Sequence, residues 1–332
     1  MDEISENHGF QEKILFIKDL RPKDNVRTTL LVKQKELFVA KNGKPYLSLL
    51  LGDRSGEIDT RIWERAEALA PQFEEGDVVA ISGRVNSFQS RLQLVVDDLV
   101  PVSASEVTLS HYLPAGPENL EELYANLKKT FEGLPNQWVS QLGLLLLNDP
   151  DIEKRYKICP AAKTIHHAFL GGLLCHSTQL IHLIDLVLSL YEGIDRSLMI
   201  FGAAFHDFGK IYELSYDGKF GYTDEGKLVG HIAIGISLVD RKIQLLPGFP
   251  TKLEWQLKHL ILSHHGKLEF GSPKRPATIE AQLLHHLDDM DSKIESIQRL
   301  LKSERNGSNW SAYHRAYDQY YYHPEILTQT DT

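Results

Sequence analysis

Histidine and aspartate side chains carry most of the chemistry that this sequence offers. Of its 15 histidines, 11 lie between His166 and His286, and imidazole is the commonest metal ligand in proteins. Seven candidates follow one another in the order H…HD…H…HH…D: His176, His206, Asp207, His231, His264, His265 and Asp288. A single histidine is more often an ordinary helical side chain, but seven in this order predict a metal or catalytic site.

The candidate ligands offer nitrogen and oxygen atoms and no thiolate. Cys159 and Cys175 are the only cysteines, too few for a zinc site built from thiolate pairs. Such a ligand set suits manganese, iron, cobalt, zinc or magnesium and does not choose between them. Asp207 has two carboxylate oxygens and can bridge two cations, which an imidazole cannot do.

The adjacent pairs His206-Asp207 and His264-His265 restrict the helices that carry them. Neighbouring helical residues point about 100° apart, so a pair in mid-helix cannot aim both side chains at one point. The pairs fit a helix end, or else two different metals. A glycine follows each pair within two residues, and glycine is typical of a helix terminus.

Elements that could position these residues are predicted from periodicity. Strands are predicted over residues 26–39, 46–51, 58–63, 77–87 and 92–102, with a short helix over 64–73 before the fourth. Three strands, a helix and two strands is the order of an OB-fold barrel, and Asn42-Gly43 predicts the first hairpin turn. Helices are predicted over residues 118–131, 135–147, 169–191, 196–206, 227–245, 250–263 and 278–302.

The predicted fold class is therefore an α+β multidomain chain. We expect a five-stranded OB-fold β-barrel over residues 12–102, a linker over 103–117, an all-α helical bundle over 118–304 and an aromatic C-terminal segment over 305–332. That last segment has six aromatic residues between Trp310 and Tyr322, which we expect to pack on the helices.

Composition restricts the function classes. The 332 residues include 36 basic and 45 acidic ones, a net charge of −9, whereas proteins that bind duplex DNA through its phosphates are usually basic. Nucleic acid would therefore be bound in a local groove or at a metal site. The sequence has no bilayer-spanning apolar run and no N-terminal secretory pattern. Because no apolar run can span a bilayer, we expect a protein that does not bind membranes. Because it has only two cysteines, we expect it in the reducing cytoplasm.

The site residues also resemble those of a known family. His176, His206-Asp207 and Asp288 match the H…HD…D signature of the HD-domain metal-dependent phosphohydrolases. The surrounding residues, from Ile165 to His176 and from Ser263 to Pro273, resemble the bacterial YhaM-type 3′→5′ exoribonucleases, which join an N-terminal OB-fold to a C-terminal HD domain. No Gly-Tyr-Pro triplet follows the motif, so cleavage of cyclic dinucleotides is not supported.

The resemblance implies two divalent metal ions, with manganese the first candidate. It places His176, His206, Asp207 and Asp288 around one ion and His231, His264 and His265 around the other, with Asp207 bridging. Two such ions can clamp a phosphodiester, activate water and stabilise the leaving oxygen. Lys210 lies three residues after Asp207 and is expected to neutralise a phosphate oxygen; the alternative is a solvated lysine at a helix end.

Further residues are candidates for substrate contacts or for support of the ligands: His167, His285, Asp291, Glu269 and Ser272. His285 and Asp291 share one helix face with Asp288. In the barrel, cations next to aromatic side chains are typical of a single-strand-binding face; the candidates are Lys33, Lys35, Lys44, Arg84, Arg91, Phe38, Tyr46 and Phe88. The alternative is that these aromatic residues fill the barrel.

We therefore expect a divalent-metal-dependent 3′→5′ exoribonuclease that acts on single-stranded RNA, with single-stranded DNA also open. The polymer substrate and the polarity follow from the resemblance alone. One alternative is an HD phosphohydrolase of small nucleotides; another is a non-catalytic single-strand-binding adaptor with a structural metal. A homo-oligomer is compatible with the sequence, which does not decide the oligomeric state.

Overall fold

The computed structural model describes residues 15–88, 91–103, 106–113, 116, 119–162, 167–215, 221–303, 309–314 and 316–322, with only the main chain of residues 88, 302 and 303. The chain divides into two compact units. The first contains a β-barrel and the second contains a helical bundle with the candidate ligands. The predicted fold class is confirmed.

The barrel consists of β1 (Asn25–Val39), β2 (Pro45–Asp53), β3 (Gly56–Ile62), β4 (Val78–Phe88) and β5 (Arg91–Val102). It closes in the order β1-β2-β3-β5-β4. Neighbouring strands are antiparallel except for β3 and β5, which are parallel. Helix α1 (Ala66–Leu69) and a 3-10 turn (Ala70–Gln72) lie between β3 and β4. This closed five-stranded topology is that of the predicted OB-fold.

Apolar residues alternate with polar ones along the strands, and their aliphatic side chains fill the barrel core. Leu30, Leu47 and Leu49 are among those with almost no exposed surface. The turn predicted at Asn42-Gly43 is present: Gly43 has a φ of +79°, and the main chain of Ala40 donates to Lys44 O at 2.9 Å. Only glycine adopts that φ without a steric cost, so the sequence encodes this turn directly.

The helical unit contains ten described helices: α2 (Leu120–Glu132), α3 (Gln137–Leu147), α4 (Pro150–Ile158), α5 (Gly172–Leu188), α6 (Arg196–Phe205), α7 (Lys210–Glu213), α8 (Asp224–Leu228), α9 (His231–Ile243), α10 (Thr251–Ser263) and α11 (Ile279–Ser303). Two-residue strands, β6 (Leu214–Ser215) and β7 (Gly221–Tyr222), lie between α7 and α8. None of the helices within the described ranges is long and apolar enough to cross a membrane.

The prediction of one helix over residues 227–245 was wrong. The structure has two helices there, α8 and α9, separated at Gly230, whose φ is +78°. A residue in that conformation cannot continue a right-handed helix. The break makes His231 the first residue of α9, and this start places its ring in the site.

The described residues of the C-terminal aromatic segment, 309–314 and 316–322, contact α11 and form no helix. Isolated bridges pair Trp310 with Tyr322 and His314 with Gln319. His314 Nε2 lies 3.0 Å from the hydroxyl oxygen of Ser296 in α11.

Candidate metal centre

Five helices contribute the predicted ligands. His176 lies within α5, Asp288 lies within α11 and His231 begins α9. His206 is the C-cap of α6, and His264 is the C-cap of α10. The two adjacent pairs therefore lie at helix ends, as their spacing predicts. At a helix end the chain turns, so consecutive side chains can point toward the same centre.

The turn after α6 brings Asp207 to the start of α9. A Cβ at Gly209 would lie 1.9 Å from the carbonyl oxygen of His231, far closer than any real contact. The main chain at Gly209 therefore packs directly on α9, which only glycine permits. This approach places Asp207 Oδ1 3.5 Å from His231 Nε2.

The first cluster consists of Asp207, His231, His264 and His265, whose candidate ligand atoms all lie within 4.8 Å of one another. Asp207 Oδ1 lies 3.4 Å from His264 Nε2. Four of these atoms are buried and have no hydrogen-bond partner among the described residues: Asp207 Oδ1, His231 Nε2, His264 Nε2 and His265 Nδ1. Unpaired buried polar atoms are costly, so four that converge fit a bound cation.

Burial also keeps two of these imidazoles neutral. It lowers the pKa of His264 and lowers the pKa of His265 to about 3. A neutral imidazole has a free lone pair on one nitrogen, which is the form that ligates metal. The donor set of this cluster, three imidazoles and a carboxylate, therefore fits a divalent ion.

The second cluster shares Asp207 with the first and adds His176 and His206. The Nε2 atoms of His176 and His206 are 3.3 Å apart, and Asp207 Oδ2 lies 3.4 Å from His206 Nε2. Asp288 Oδ1 lies 3.1 Å from His176 Nε2. Adjacent ligand atoms around a small divalent ion bound at about 2.1 Å lie about 3 Å apart. The ligands of this cluster thus fit a second ion.

Each histidine of the two clusters except His265 is oriented by its other ring nitrogen. His206 Nδ1–H donates to Gly202 O at 3.0 Å, and His264 Nδ1–H donates to Ile261 O at 2.7 Å. His231 Nδ1–H donates to a Glu213 oxygen at 3.0 Å, and His176 Nδ1–H donates to Asp291 Oδ2 at 2.9 Å. These bonds fix the tautomer and turn Nε2 inward, as in known metal sites.

The buried carboxylates of the site are paired with basic side chains. Lys210 Nζ donates to Asp207 Oδ2 at 2.6 Å and to Ala161 O at 2.7 Å. Burial raises the pKa of Asp207, but the Lys210 charge and the nearby His206 outweigh it and hold that pKa well below its usual range. Burial likewise lowers the pKa of His176, but bonds to Asp288 and Asp291 raise it to about 9.

The remaining predicted residues lie around this centre. His167 Nε2 lies 3.2 Å from Asp291 Oδ2, and His285 Nδ1–H donates to His264 O at 2.8 Å. Ser272 is buried and donates to Leu262 O, so its hydroxyl braces the loop after α10. Glu269 is exposed in the same loop.

A pocket opens onto the two clusters within the helical unit. Its lining combines ligands with neighbouring polar groups and one aromatic ring: Asp207, Lys210, His264, His265, Phe270, His285, Asp288, Asp289 and Ser292. A substrate that enters this pocket would reach Lys210, Asp288 and Asp207, the carboxylate that the two clusters share.

The barrel presents a row of aromatic side chains on β1, β2 and the residue after β3. Phe38 pairs with Tyr46 in the strand register, and their ring centroids are 5.7 Å apart. Tyr46 stacks in turn on Trp63 at 4.7 Å. Phe38 and Trp63 are both more than 40% exposed, so these rings lie outside the barrel core and form a surface on which bases could stack.

The predicted basic side chains of the barrel differ in how far they are free to contact a nucleic acid. Lys35 Nζ is bound to Ala70 O, Phe73 O and Glu74, so its charge is already engaged. Lys33 is half-buried, whereas Lys44, Arg84 and Arg91 are exposed. The side chain of Phe88 lies outside the described residues.

Comparison with known proteins agrees with both units. The profile of the OB-fold nucleic acid binding domain matches residues 26–102, and that of the HD domain matches residues 168–293. The 3′-5′ exoribonuclease YhaM of Bacillus subtilis (strain 168) is 33% identical over 285 residues, which cover 86% of this chain and 90% of that protein. This chain belongs to the YhaM family.

Two further proteins are similar to this YhaM-family chain. The 3′-5′ exoribonuclease YhaM of Bacillus pumilus (strain SAFR-032) is 32% identical, again over 86% of this chain and 90% of that protein. The solution structure of the second OB-fold domain of replication protein A from Methanococcus maripaludis is 26% identical. The alignment covers 26% of this chain and 91% of the replication protein A domain, with a TM-score of 0.22.

Three residues of this YhaM-family chain were not among the predicted ones. Glu213 holds His231, Trp63 extends the aromatic row, and Phe270 lines the pocket. Trp63 could have been found, because it is the last residue of the predicted strand 58–63, which pairs beside Tyr46. The positions of Glu213 and Phe270 depend on contacts between separate elements, which no local spacing reports.

Proposed function

We propose that this chain is a divalent-metal-dependent 3′→5′ exoribonuclease that cleaves single-stranded RNA at the pocket described above. The observation that carries the proposal is the convergence of four buried, unpartnered candidate ligand atoms, one of them Asp207 Oδ1. Membership of the YhaM family supports the substrate and the polarity, since its named relatives are 3′-5′ exoribonucleases. A structural metal alone would not require a pocket at its ligands.

The ligand sets fit two ions, which we infer share Asp207. His176, His206 and Asp288 would complete one set, and His231, His264 and His265 would complete the other. When bound, two such ions supply an activated water and electrostatic stabilisation of the leaving oxygen. Manganese is the ion that we propose first, as the resemblance implies; the set of imidazoles and carboxylates is compatible with it but does not select it.

The chain's own groups hold the Asp207 carboxylate in place. Lys210 holds Asp207 through Oδ2 while Oδ1 faces His231 and His264. Because Lys210 also donates to Ala161 O, its ammonium is fixed at two points. We infer that it positions Asp207 and presents positive charge to the pocket, where a phosphodiester oxygen would enter. A fixed charge of this kind needs no reorganisation during the reaction.

The barrel would bind the single strand upstream of the cleaved bond. Its family profile is that of a nucleic-acid-binding domain, and its row of Phe38, Tyr46 and Trp63 offers stacking surfaces that tolerate any base. Exposed Lys44, Arg84 and Arg91 add positive charge to the barrel surface.

The decisive experiment is cleavage of a 5′-labelled single-stranded RNA in manganese by the full chain and by Asp207→Asn. We expect a ladder that shortens from the 3′ end, and a loss of about a thousandfold or more in Asp207→Asn, as for removal of a principal catalytic group. Asp224→Asn is the matched control, because its carboxylate is 95% exposed and pairs only loosely with Lys227.

Other outcomes separate the alternatives. If the RNA stays intact while mononucleotides release phosphate, the chain is a small-nucleotide phosphohydrolase. If it binds RNA without turnover in any divalent metal, it is an adaptor. Calorimetric titration with manganese tests the ligand assignment, since Asp207→Asn should weaken both binding events whereas His265→Ala should weaken one.

A further inference from the structure

Phe270 is a large apolar side chain placed at the mouth of a polar, metal-binding pocket. It lines the same pocket as Asp207, Lys210 and Asp288, yet 62% of its surface is exposed. An exposed aromatic ring contributes little to folding stability compared with a buried one. Its place among ligands and charged groups therefore indicates a role toward what enters the pocket.

The main chain of Phe270 lies in a defined turn. Leu268–Phe270 forms a 3-10 turn, and the next residue, Gly271, has a φ of +85°. The main-chain N–H groups of Phe270 and Ser272 donate to Lys267 O at 3.1 and 3.2 Å. This turn is thus closed by its own hydrogen bonds.

The loop is also tied to the helix that carries the ligands. Ser272 Oγ donates to Leu262 O at 3.0 Å, and the main chain of Lys274 donates to the same oxygen at 3.3 Å. Leu262 belongs to α10, whose C-cap is His264. The main chain that carries Phe270 is therefore tied to the helix end that carries His264 and His265, as suits a group that positions a reacting substrate.

The surroundings of the ring match the chemistry of a nucleotide. Lys267 Nζ lies 5.3 Å from the ring centroid, so the ring and a cation are presented together. A nucleotide combines an aromatic base with an anionic phosphate, and base–aromatic stacking is one of the main sources of single-strand binding. A simple phosphate ester would have no group for the ring to contact.

We propose that Phe270 binds substrate by stacking on the base of the 3′-terminal nucleotide while the scissile phosphate lies at the metal ligands. This inference rests on the proposed exoribonuclease function. It makes Phe270 a positioning surface for the terminal nucleotide, one that accepts any base and requires that a base be present.

The test uses two 5′-labelled RNAs that differ only in whether the 3′-terminal nucleotide carries its base. Removal of the first nucleotide is followed in single turnover with manganese. The wild-type chain should process the abasic end at least about tenfold more slowly, given the usual strength of base–aromatic stacking. Phe270→Ala should cleave the normal RNA at least about tenfold more slowly than the wild-type chain does. On the abasic RNA its rate should be close to the wild-type rate, and Phe270→Trp should restore the rate on the normal RNA.

Leu268→Ala is the matched control, because Leu268 is 52% exposed in the same turn and is not among the pocket-lining residues. It should cleave both RNAs like the wild-type chain, and all variants should bind manganese equally. Equal losses of Phe270→Ala on the two RNAs, or no loss on either, would overturn the stacking proposal alone. An inactive wild-type chain would overturn both this inference and the proposed function.

Discussion

Glu213 accepts two hydrogen bonds from His231, one from its main-chain N–H and one from its Nδ1–H, and each measures 3.0 Å. The first bond also satisfies an otherwise unpaired N–H at the start of α9. Burial raises the pKa of Glu213, but these bonds outweigh it and lower that pKa. The Glu213 carboxylate thus caps the start of α9 and orients the His231 ring toward Asp207.

Glu213→Ala should weaken metal binding without removing a ligand. The ring of His231 would lose the hydrogen bond that orients it, and such outer partners are typically worth 10- to 100-fold in metal affinity. Calorimetric titration with manganese measures the change. Glu225→Ala, an exposed carboxylate of α8, is the control, and unchanged affinity in Glu213→Ala would contradict the role.

Gly266→Ala should disrupt the site more than folding strain alone predicts. Gly266 has a φ of +75°, and a Cβ there would lie 2.2 Å from His285 Nε2. The clash would push His285 away from His264 O, to which it now donates. We expect both a lower melting temperature and a loss of RNA cleavage.

Gly193→Ala separates the two effects. Gly193 has a φ of +79° but nothing within 4 Å of an added Cβ, so it should show only the backbone cost of about 1 kcal/mol. Differential scanning calorimetry and the cleavage assay measure both variants. If Gly266→Ala resembles Gly193→Ala in both assays, the proposed clash is of no consequence.

Truncation of the aromatic row should weaken RNA binding by the barrel. Tyr46 lies between Phe38 and Trp63, so Tyr46→Ala removes the middle of the row. Loss of one stacked base is worth about 1–3 kcal/mol, a factor of about 5 to 150 in Kd. Fluorescence anisotropy with labelled RNA, in an Asp207→Asn background that prevents cleavage, measures the effect.

The control for this row is Val100→Ala, which truncates a 47% exposed side chain of β5 away from the rings. It should bind RNA as the parent does. Equal affinity of the Tyr46→Ala and Val100→Ala chains would show that the row does not bind the strand.

Asp149 should stabilise the helical unit in a pH-dependent way. It caps α4 by accepting from the main chain of Asp151 and Ile152, and it pairs with Lys242 of α9 at 2.8 Å. The bond from Lys242, with those of the cap, lowers the pKa of Asp149. Its charged form therefore contributes above the unfolded pKa of about 3.9, and the contribution is lost as the pH falls through the lower folded value.

Asp149→Asn tests this contribution, because asparagine still caps a helix but cannot form the ion pair. We expect a cost of about 0.2–1 kcal/mol at pH 7, since the pair is partly exposed. The cost should shrink as the pH approaches 3. Calorimetric melting of both chains across this range measures it, and a pH-independent difference would contradict the assignment.

The sequence predicts those parts of the molecule that depend on nearby residues. The five strands follow from alternation and from the turn at Gly43, and the candidate metal ligands that meet in the site follow from their types and order. The same periodicity failed at Gly230, because one glycine within an amphipathic pattern is usually tolerated in a helix. The packing of the start of α9 on Gly209 is a contact between separate elements, which periodicity does not report.

Helix α4 shows another limit of sequence patterns. It was not predicted, because its residues are mostly polar and its apolar face is short. Its ion pairs reach to α2: Lys128 pairs with Glu153 and Lys157 pairs with Glu121. Such partners are distant in sequence, as Glu213 is from His231 and as Phe270 is from Asp288, and their meeting is a property of the fold.

The distribution of the ligands over five helices has a consequence for the lifetime of the chain. An ion held by His176, His206 and Asp288 would join α5, α6 and α11, of which α5 and α11 already meet through the bonds of His176 to Asp288 and Asp291. By mass action, an ion that binds only the folded chain shifts the folding equilibrium toward it. A chain deprived of metal would thus be both inactive and more readily opened to proteases, so that ion supply would set the amount of enzyme as well as its rate.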